Sequence, residues 1–431
     1  MNEPSSGGDR AWSAADYFVL WMGAAISLAE IWAGGLLAPL GLALGLAAIV
    51  LGHVIGNTPM ALGGLLGSRH RVPAMISLRG ALGVRGSYLP AALNVIQLVG
   101  WTAVMLWVGG QTAARVAAEQ TGLGARAWIV AIGALTTLWA LTGHGRRKWL
   151  QRTAVTFLAL LSVVMTWTVF RRYSFPELLA RPAAGGLTFG QGLDLVMAMP
   201  ISWLPLMSDY SRFAKSSRGA FWGTWWGYLL AGSWMYAVGL VAALAAQTDT
   251  PDGMIMDLMA GAGLAGPALL VVLLSTVTTT FLDIYSAAVS TRSLFPRWNE
   301  RTVIAGAGLM GTALAAFFPA AEYESFLLLI GAMFCPLFGV VLADYFLLNR
   351  MRQDPAAGPA GAGNWKGIHL PAVAAWAAGF GLYRLATRLE WHIGASLPSL
   401  LGAAALYLMA VNVWRTLRTP SITSPSAGNG A

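Results

Sequence analysis

The chain has 431 residues, of which 57% are apolar and 10% charged, with a net charge of +9. A soluble domain carries about 25% charged residues, so this composition excludes a soluble globular protein and leaves a polytopic membrane protein. The basic excess is spread through short loops, which excludes nucleic acid as its partner and assigns the charges to orientation in the membrane.

Residues 1–15 read as a polar, Gly/Ser-rich cytoplasmic tail with no cleavable signal peptide. Twelve apolar segments follow, at 16–37, 40–67, 88–116, 127–143, 149–170, 191–210, 220–247, 266–291, 302–319, 325–348, 370–388 and 394–414. Each is near the ~20 residues that a membrane helix needs. An even number of spans puts both termini on one side. The loops and tails of that side hold 20 of the 27 basic residues and the opposite side holds 7. The positive-inside rule therefore predicts cytoplasmic termini in a cell inner (plasma) membrane. Spans 1–10 form a ten-helix core over 16–348, and a cytoplasmic linker over 349–369 contains the Gly/Pro-rich run 353–363. Helices 11 and 12 occupy 370–414, and 415–431 reads as a disordered tail. The lone Cys335 lies in an apolar run and reads as packing.

Span 1 holds Ser27 and Glu30 among the small residues Ala29, Ala33, Gly34 and Gly35. A carboxylate at bilayer depth costs ~2.5–3.5 kcal/mol on translocon scales and usually faces a cavity or a partner. Small residues weaken the helix there and admit backbone or ligand. The stretch reads as a broken helix lining a binding site. The competing reading is an acid paired only for packing. Span 6 carries Pro200 and Pro205, each of which removes a donor and clashes with the preceding turn. Freed carbonyls at that depth are tolerated only inside protein or beside a cavity. Spans 1 and 6, five apart, thus form a matched pair of interrupted segments, the best sequence pointer to a transporter site.

Span 8 carries Ser275, Thr276, Thr278, Thr279 and Thr280 followed by Asp283 and Ser286. Hydroxyl and carbonyl oxygens are hard ligands suited to a small cation such as sodium, although a Thr can simply bond back to its own helix. Span 3 offers Asn94, Gln97, Trp101 and Thr102. Gln97 and Trp101 are four apart and share a helix face, so an indole can stack on a flat solute while an amide reads its edge. His53 in span 2 reads as a packing histidine. The five histidines are scattered and no nucleotide-binding loop is present, which leaves no catalytic or metal spacing and argues against an enzyme.

Three features together resemble a known family. Asp209-Tyr210-Ser211-Arg212-Phe213 closes span 6 and is similar to the Asp-x-Ser-Arg-Tyr/Phe signature of the nucleobase–cation symporters, which include cytosine permeases and allantoin and hydantoin transporters. Trp32-Ala33-Gly34-Gly35 resembles the Gly-rich end of that family's first helix break, and Thr278-Thr279 with Tyr285-Ser286-Ala287 its eighth helix. The likeness runs over residues 15–350 and is greatest to the hydroxymethylpyrimidine-transporter branch, linked to uptake of a thiamine precursor. It implies an all-α fold of 12 transmembrane helices of the leucine-transporter type, with inverted repeats 1–5 and 6–10 and two appended helices. By the same likeness Trp101 stacks on the substrate, Ser27 contacts it, and Met199 and Pro200 sit at the helix 6 break. Thr278 and Thr279 supply hydroxyls to a sodium site, with carbonyls from Gly23, Ile26 and Ser275. Thr280 and Asp283 stand where many members are Asn-rich, and Glu30 is not general, so cytosine itself is a less direct fit than an aminopyrimidine paired with two carboxylates. The expected protein is a monomeric symporter in the lipid bilayer, driven by sodium or a proton, with no other cofactor. Cytosine or another nucleobase, and more distantly an amino acid, are the alternative substrates.

Overall fold

Ser13 opens the first helix with a capping box: its hydroxyl accepts the Asp16 N–H, and the Asp16 carboxylate accepts the Ser13 N–H. This pairs two groups that a helix start leaves without partners. The computed structural model describes residues 12–142, discontinuous stretches between 155 and 183, and residues 185–246, 265–317, 322–351 and 367–418. Among these residues every long element is helical, and a lone bridge joins Trp12 to Ala214. The expected span 149–170 lies mostly outside the described residues, and the linker 353–363, the acidic loop at 249–257 and the tail beyond 418 lie wholly outside them.

Span 1 is interrupted. Helix α1 (Ala14–Ala25) ends at Ile26, Ser27 is extended at φ −138°, and α2 (Leu28–Gly35) begins afresh. The break falls ahead of Glu30, and Trp32–Gly35, expected as its Gly-rich end, is regular helix. The reason is local capping: the Ser27 hydroxyl accepts the Glu30 N–H at 3.2 Å and restarts the helix within a turn. The glycines serve packing instead. A Cβ on Gly34 would enter the backbone of Tyr236, and one on Gly239 would enter the carbonyl of Ile31. Small residues let membrane helices approach this closely. Gly239→Ala should therefore destabilise the protein by roughly 1–3 kcal/mol through overpacking, read as a lower melting temperature in detergent; an unchanged melting temperature would contradict this contact.

The next long helices are α3 (Gly41–His70), α4 (Tyr88–Val116) and α5 (Ala125–Leu141). Span 6 then divides into α6 (Phe189–Trp203), a 3-10 turn at Leu204–Leu206, and α7 (Met207–Ser211). Of the two prolines, Pro205 marks the interruption, whereas α6 runs through Pro200 for another turn. The Ser202 hydroxyl donates to the Met199 carbonyl at 2.6 Å. The break thus lies a turn beyond Met199 and Pro200. The remaining long helices are α8 (Ser217–Ala246), α9 (Ala265–Leu294), α10 (Glu300–Ala315), α11 (Tyr323–Leu342), α12 (Leu370–Arg388) and α13 (Ser396–Arg418). Span 10 ends in a π-helical turn at Ala343–Leu348, where Tyr407 donates to Asp344 at 2.5 Å.

α1 packs on α8, α3 on both α8 and α6, and α9 on α4, while α11 touches α6, α12 and α13. Among the described residues five helical stretches are long and apolar enough to cross a membrane. α1, α6 and α7 fall short in length, whereas α2 runs with α3 in one apolar stretch of 43 residues. α9 is long enough but carries hydroxyls and Asp283 on buried positions. His53 is buried with Nδ1 2.9 Å from the Ile49 carbonyl and its ring edge-on to Tyr236, and Cys335 is buried and free; both fit packing.

Candidate functional site

The break in span 1 and the last turn of α6 meet around a small cavity. Ala24, Ser27, Ala29 and Glu30 line it from span 1, Trp101 and Met105 from α4, Met199, Ser202 and Trp203 from α6, and Thr279 and Asp283 from α9. The helix restart at Ser27 places Glu30 in the first turn of α2, facing inward. Glu30 is 1% exposed; Tyr228 of α8 donates to its Oε1, and Trp203 Nε1 donates to the Tyr228 hydroxyl at 3.1 Å. Glu30 Oε2 has no protein partner. Among the described residues no Lys or Arg lies within ion-pair distance of Glu30 or Asp283. Two carboxylates on one mostly apolar cavity, without a fixed cation among the described residues, make a strong acceptor for N–H donors or a cation.

Two indoles bound the same space. Trp101 is held edge-on by Phe326 at 5.3 Å and by Tyr323 at 6.2 Å, an arrangement aromatic rings prefer. Its Nε1 is buried and unpartnered. Trp203 is held edge-on by Trp21 at 5.7 Å. Tyr323 in turn donates to the Ala29 carbonyl at 3.0 Å and stacks on Trp32 with ring centres 4.0 Å apart, so α11 fixes both α2 and the face of Trp101. Flat rings, free acceptors and one free indole donor can hold a flat heteroaromatic solute with N–H groups on its edge.

Of the expected substrate contacts, the structure brings Ser27, Glu30, Trp101, Met199 and Asp283 to the cavity wall. Gln97, Pro200 and Thr280 stand behind it. Gln97 donates to Asn94 Oδ1 and to the Ser202 carbonyl, each at 2.9 Å, and Asn94 donates to Ser290 at 2.8 Å. This network ties α4 to α6 and α9. Pro200 packs on Gly56 of α3, and Thr280 is fully buried with its hydroxyl unpartnered.

Of the expected cation ligands, Ser275 and Ile26 meet where α9 passes the end of α1. Ser275 Oγ donates to the Ile26 carbonyl at 3.2 Å. Thr278 donates to the Leu274 carbonyl at 2.7 Å, which leaves its oxygen lone pairs free to accept. Thr279 Oγ1 is buried and unpartnered. Gly23 is buried one turn before Ile26. These are hard oxygen donors, and they fit a small cation. Among the described residues no cluster of His, Cys, Asp and Glu could hold a metal.

At the far end of the break, residues of the Asp-x-Ser-Arg signature knit the bundle together. Asp209 Oδ1 accepts the Ala74 N–H at 2.9 Å, Tyr210 donates to the Leu282 carbonyl at 3.1 Å, and Tyr17 donates to the Tyr210 carbonyl at 3.0 Å. Arg212 reaches the Tyr285 hydroxyl at 3.3 Å. Sequence reasoning missed Trp203, Ser202 and Tyr228. Trp203 lies between the two prolines and was findable there; Tyr228 sits in an unbroken apolar helix with nothing local to mark it.

Two interrupted helices beside a cavity that carries two carboxylates, in an apolar bundle, define a membrane transporter of the broken-helix class. Residues 6–414 match the family of permeases for cytosine/purines, uracil, thiamine and allantoin, and the chain belongs to that family. It is a transporter of the nucleobase–cation symporter family and not an enzyme. The cytosine permease of Escherichia coli K12 is 29% identical over 334 residues, 76% of each chain. The hydantoin permease of Microbacterium maritypicum is 22% identical over 377 residues, 82% of this chain and 76% of that one. The fold is that of Mhp1, a nucleobase-cation-symport-1 family transporter solved in a closed conformation with bromovinylhydantoin bound. Against it the TM-score is 0.83 at 20% identity, over 95% of this chain and 94% of that one. A Na⁺-coupled sialic acid symporter shares the architecture at a TM-score of 0.66 and 14% identity, over 95% of this chain and 91% of that one. The fold is thus of the expected leucine-transporter type.

Proposed function

We propose that this chain is a cation-coupled importer of a planar aminopyrimidine, with hydroxymethylpyrimidine its first substrate. The observation that carries this reading is the pairing of two carboxylates, Glu30 and Asp283, with the indoles of Trp101 and Trp203 on one cavity. An aminopyrimidine offers N–H donors to the free Glu30 Oε2 and to Asp283, and a ring nitrogen able to accept from Trp101 Nε1. Its ring stacks between apolar faces while the hydroxymethyl group takes up the remaining space near Ser27, Ser202 and Thr279. A second reading, cytosine, is favoured by the likeness to the bacterial cytosine permease; cytosine carries the same amino edge without the hydroxymethyl arm.

Transport proceeds by alternating access. Sodium held by Thr278, Thr279 and carbonyls of Gly23, Ile26 and Ser275 orders the break at Ile26–Ser27. That helix end positions Ser27 and Glu30 for the substrate, so ion and substrate favour the same state through real differences in binding energy. The bundle then rocks about the cavity and releases both inward. In this reading both termini face the cytoplasm, the membrane is the inner (plasma) membrane and the monomer is the working unit.

Uptake of labelled hydroxymethylpyrimidine by cells expressing the chain tests this. Saturable, sodium-dependent uptake that unlabelled hydroxymethylpyrimidine blocks and uracil does not is the expected result. Uptake of cytosine alone moves the assignment to the second reading, and uptake of neither refutes both. Thr278→Ala and Thr279→Ala should each raise the sodium concentration for half-maximal uptake about tenfold, the worth of one lost polar ligand. Unchanged sodium dependence in both removes these hydroxyls from the ion site.

A further inference from the structure

The half of span 6 that precedes the cavity has a loop before it and a 3-10 turn after it. Neither end fixes its position, so lateral contacts must. On one side α6 lies against α3, where a Cβ on Gly52 would meet Val196 and one on Gly56 would meet Pro200. On another side a single carboxylate fastens it. Asp194 Oδ2 accepts the Ala395 N–H and Oδ1 accepts the Ser396 N–H, each at 2.7 Å. These amides open α13, and the first amides of a helix have no partner within it. Both carboxylate oxygens act as acceptors, and Asp194 is 5% exposed, so solvent does not provide this role.

The backbones meet there as well. A Cβ on Gly190 would lie 2.5 Å from the Gly394 nitrogen, and one on Gly394, which sits at φ +75°, would lie 2.6 Å from the Gly190 carbonyl. Any side chain at either position would part the two segments. α13 is also seated on α11, the helix that holds Tyr323 and Phe326 against Trp101. The last two helices therefore touch both elements that flank the stacking face.

We propose that Asp194 is a positioning residue for the substrate cavity: it makes α6 and the α12–α13 pair a single body, so that the appended helices set where Met199, Ser202 and Trp203 stand. The functional half of this inference rests on transport through the cavity described above. The mechanical half does not. Asp194 touches no substrate and acts through the position of α6. A buried bidentate tie is directional, which apolar packing is not, and its loss frees a segment that has a hinge at each end.

Hydrogen exchange on the purified full-length protein, without substrate, tests the mechanical half. Asp194→Ala should raise exchange about tenfold or more across 189–203 as well as at 395–399, with α4 and α9 unchanged. Asp194→Asn, which keeps one acceptor oxygen, should give a smaller rise in the same two segments and serves if the alanine variant does not fold. A rise confined to 395–399 overturns the proposal and reduces Asp194 to a helix cap. In uptake of whichever pyrimidine the wild type carries, KM should rise about tenfold while Vmax per folded protein stays within about twofold. A fall in Vmax with KM unchanged overturns the positioning role. Because the exchange measurement uses no substrate, failure of the pyrimidine assignment leaves it intact and separately readable.

Discussion

Glu30→Gln is expected to weaken aminopyrimidine binding by about 10- to 100-fold, the range set by losing a charge-assisted hydrogen bond of about 1.5–3 kcal/mol. The geometry gives the reason. Oε1 is already committed to the Tyr228 hydroxyl, and Oε2 is the free acceptor on the cavity. An amide at this position has one acceptor where the carboxylate has two. If its oxygen stays on Tyr228, its NH₂ faces the amino group of the substrate, donor against donor. If it turns round, the NH₂ confronts the Tyr228 hydroxyl, whose own acceptor capacity is already used by Trp203 at 3.1 Å. Tyr228→Phe separates the two effects. It leaves both carboxylate oxygens as acceptors and only loosens their aim, so its loss should be smaller, roughly threefold to tenfold. Equilibrium binding to purified protein checks the order; equal losses in the two variants, or none in Glu30→Gln, would exclude the carboxylate as the recognition element.

Trp101→Ala has a comparable expected cost for a different reason. Stacking of a base on an aromatic side chain is worth about 1–3 kcal/mol by alanine substitution, which is about 10- to 100-fold in affinity. Trp101 is 6% exposed, lines the cavity and is gripped by Tyr323 and Phe326 at near-perpendicular ring angles, so its ring is held in place before any substrate arrives. Trp101→Phe keeps a flat face and should recover most of the binding, losing only the Nε1 donor and some contact area. Binding that survives Trp101→Ala undiminished would place the ring of the substrate elsewhere, on Trp203. A Trp101→Phe variant as weak as Trp101→Ala would assign the effect to the indole N–H and not to stacking.

The two interruptions were legible in the sequence because their causes are local. A carboxylate among small residues and a hydroxyl marks span 1, and paired prolines mark span 6. Their positions were less legible. Which residue caps the new helix decides the first, and Ser27 does so from the position directly before Leu28. Which of the two prolines ends the helix decides the second, and α6 continues through Pro200, so the break falls at Pro205. The acids could be picked out as costly residues at bilayer depth, but their partners could not. Tyr228 is 198 positions from Glu30, and the amides that hold Asp194 are 201 and 202 positions away. Such pairings depend on how helices are stacked, and a single span carries no trace of them. Gln97 shows the converse. Its spacing from Trp101 put the two on one face, yet a hydrogen bond to the Ser202 carbonyl draws the amide into the wall behind the cavity.

The most direct measurement is equilibrium binding of labelled hydroxymethylpyrimidine to the purified protein in sodium and in choline, for the wild type and for Glu30→Gln combined with Asp283→Asn. Saturable binding that sodium strengthens, that unlabelled ligand displaces and that the double substitution abolishes is the predicted result. Binding that the double substitution leaves unchanged would contradict the account, because the two carboxylates would then have no part in recognising the substrate.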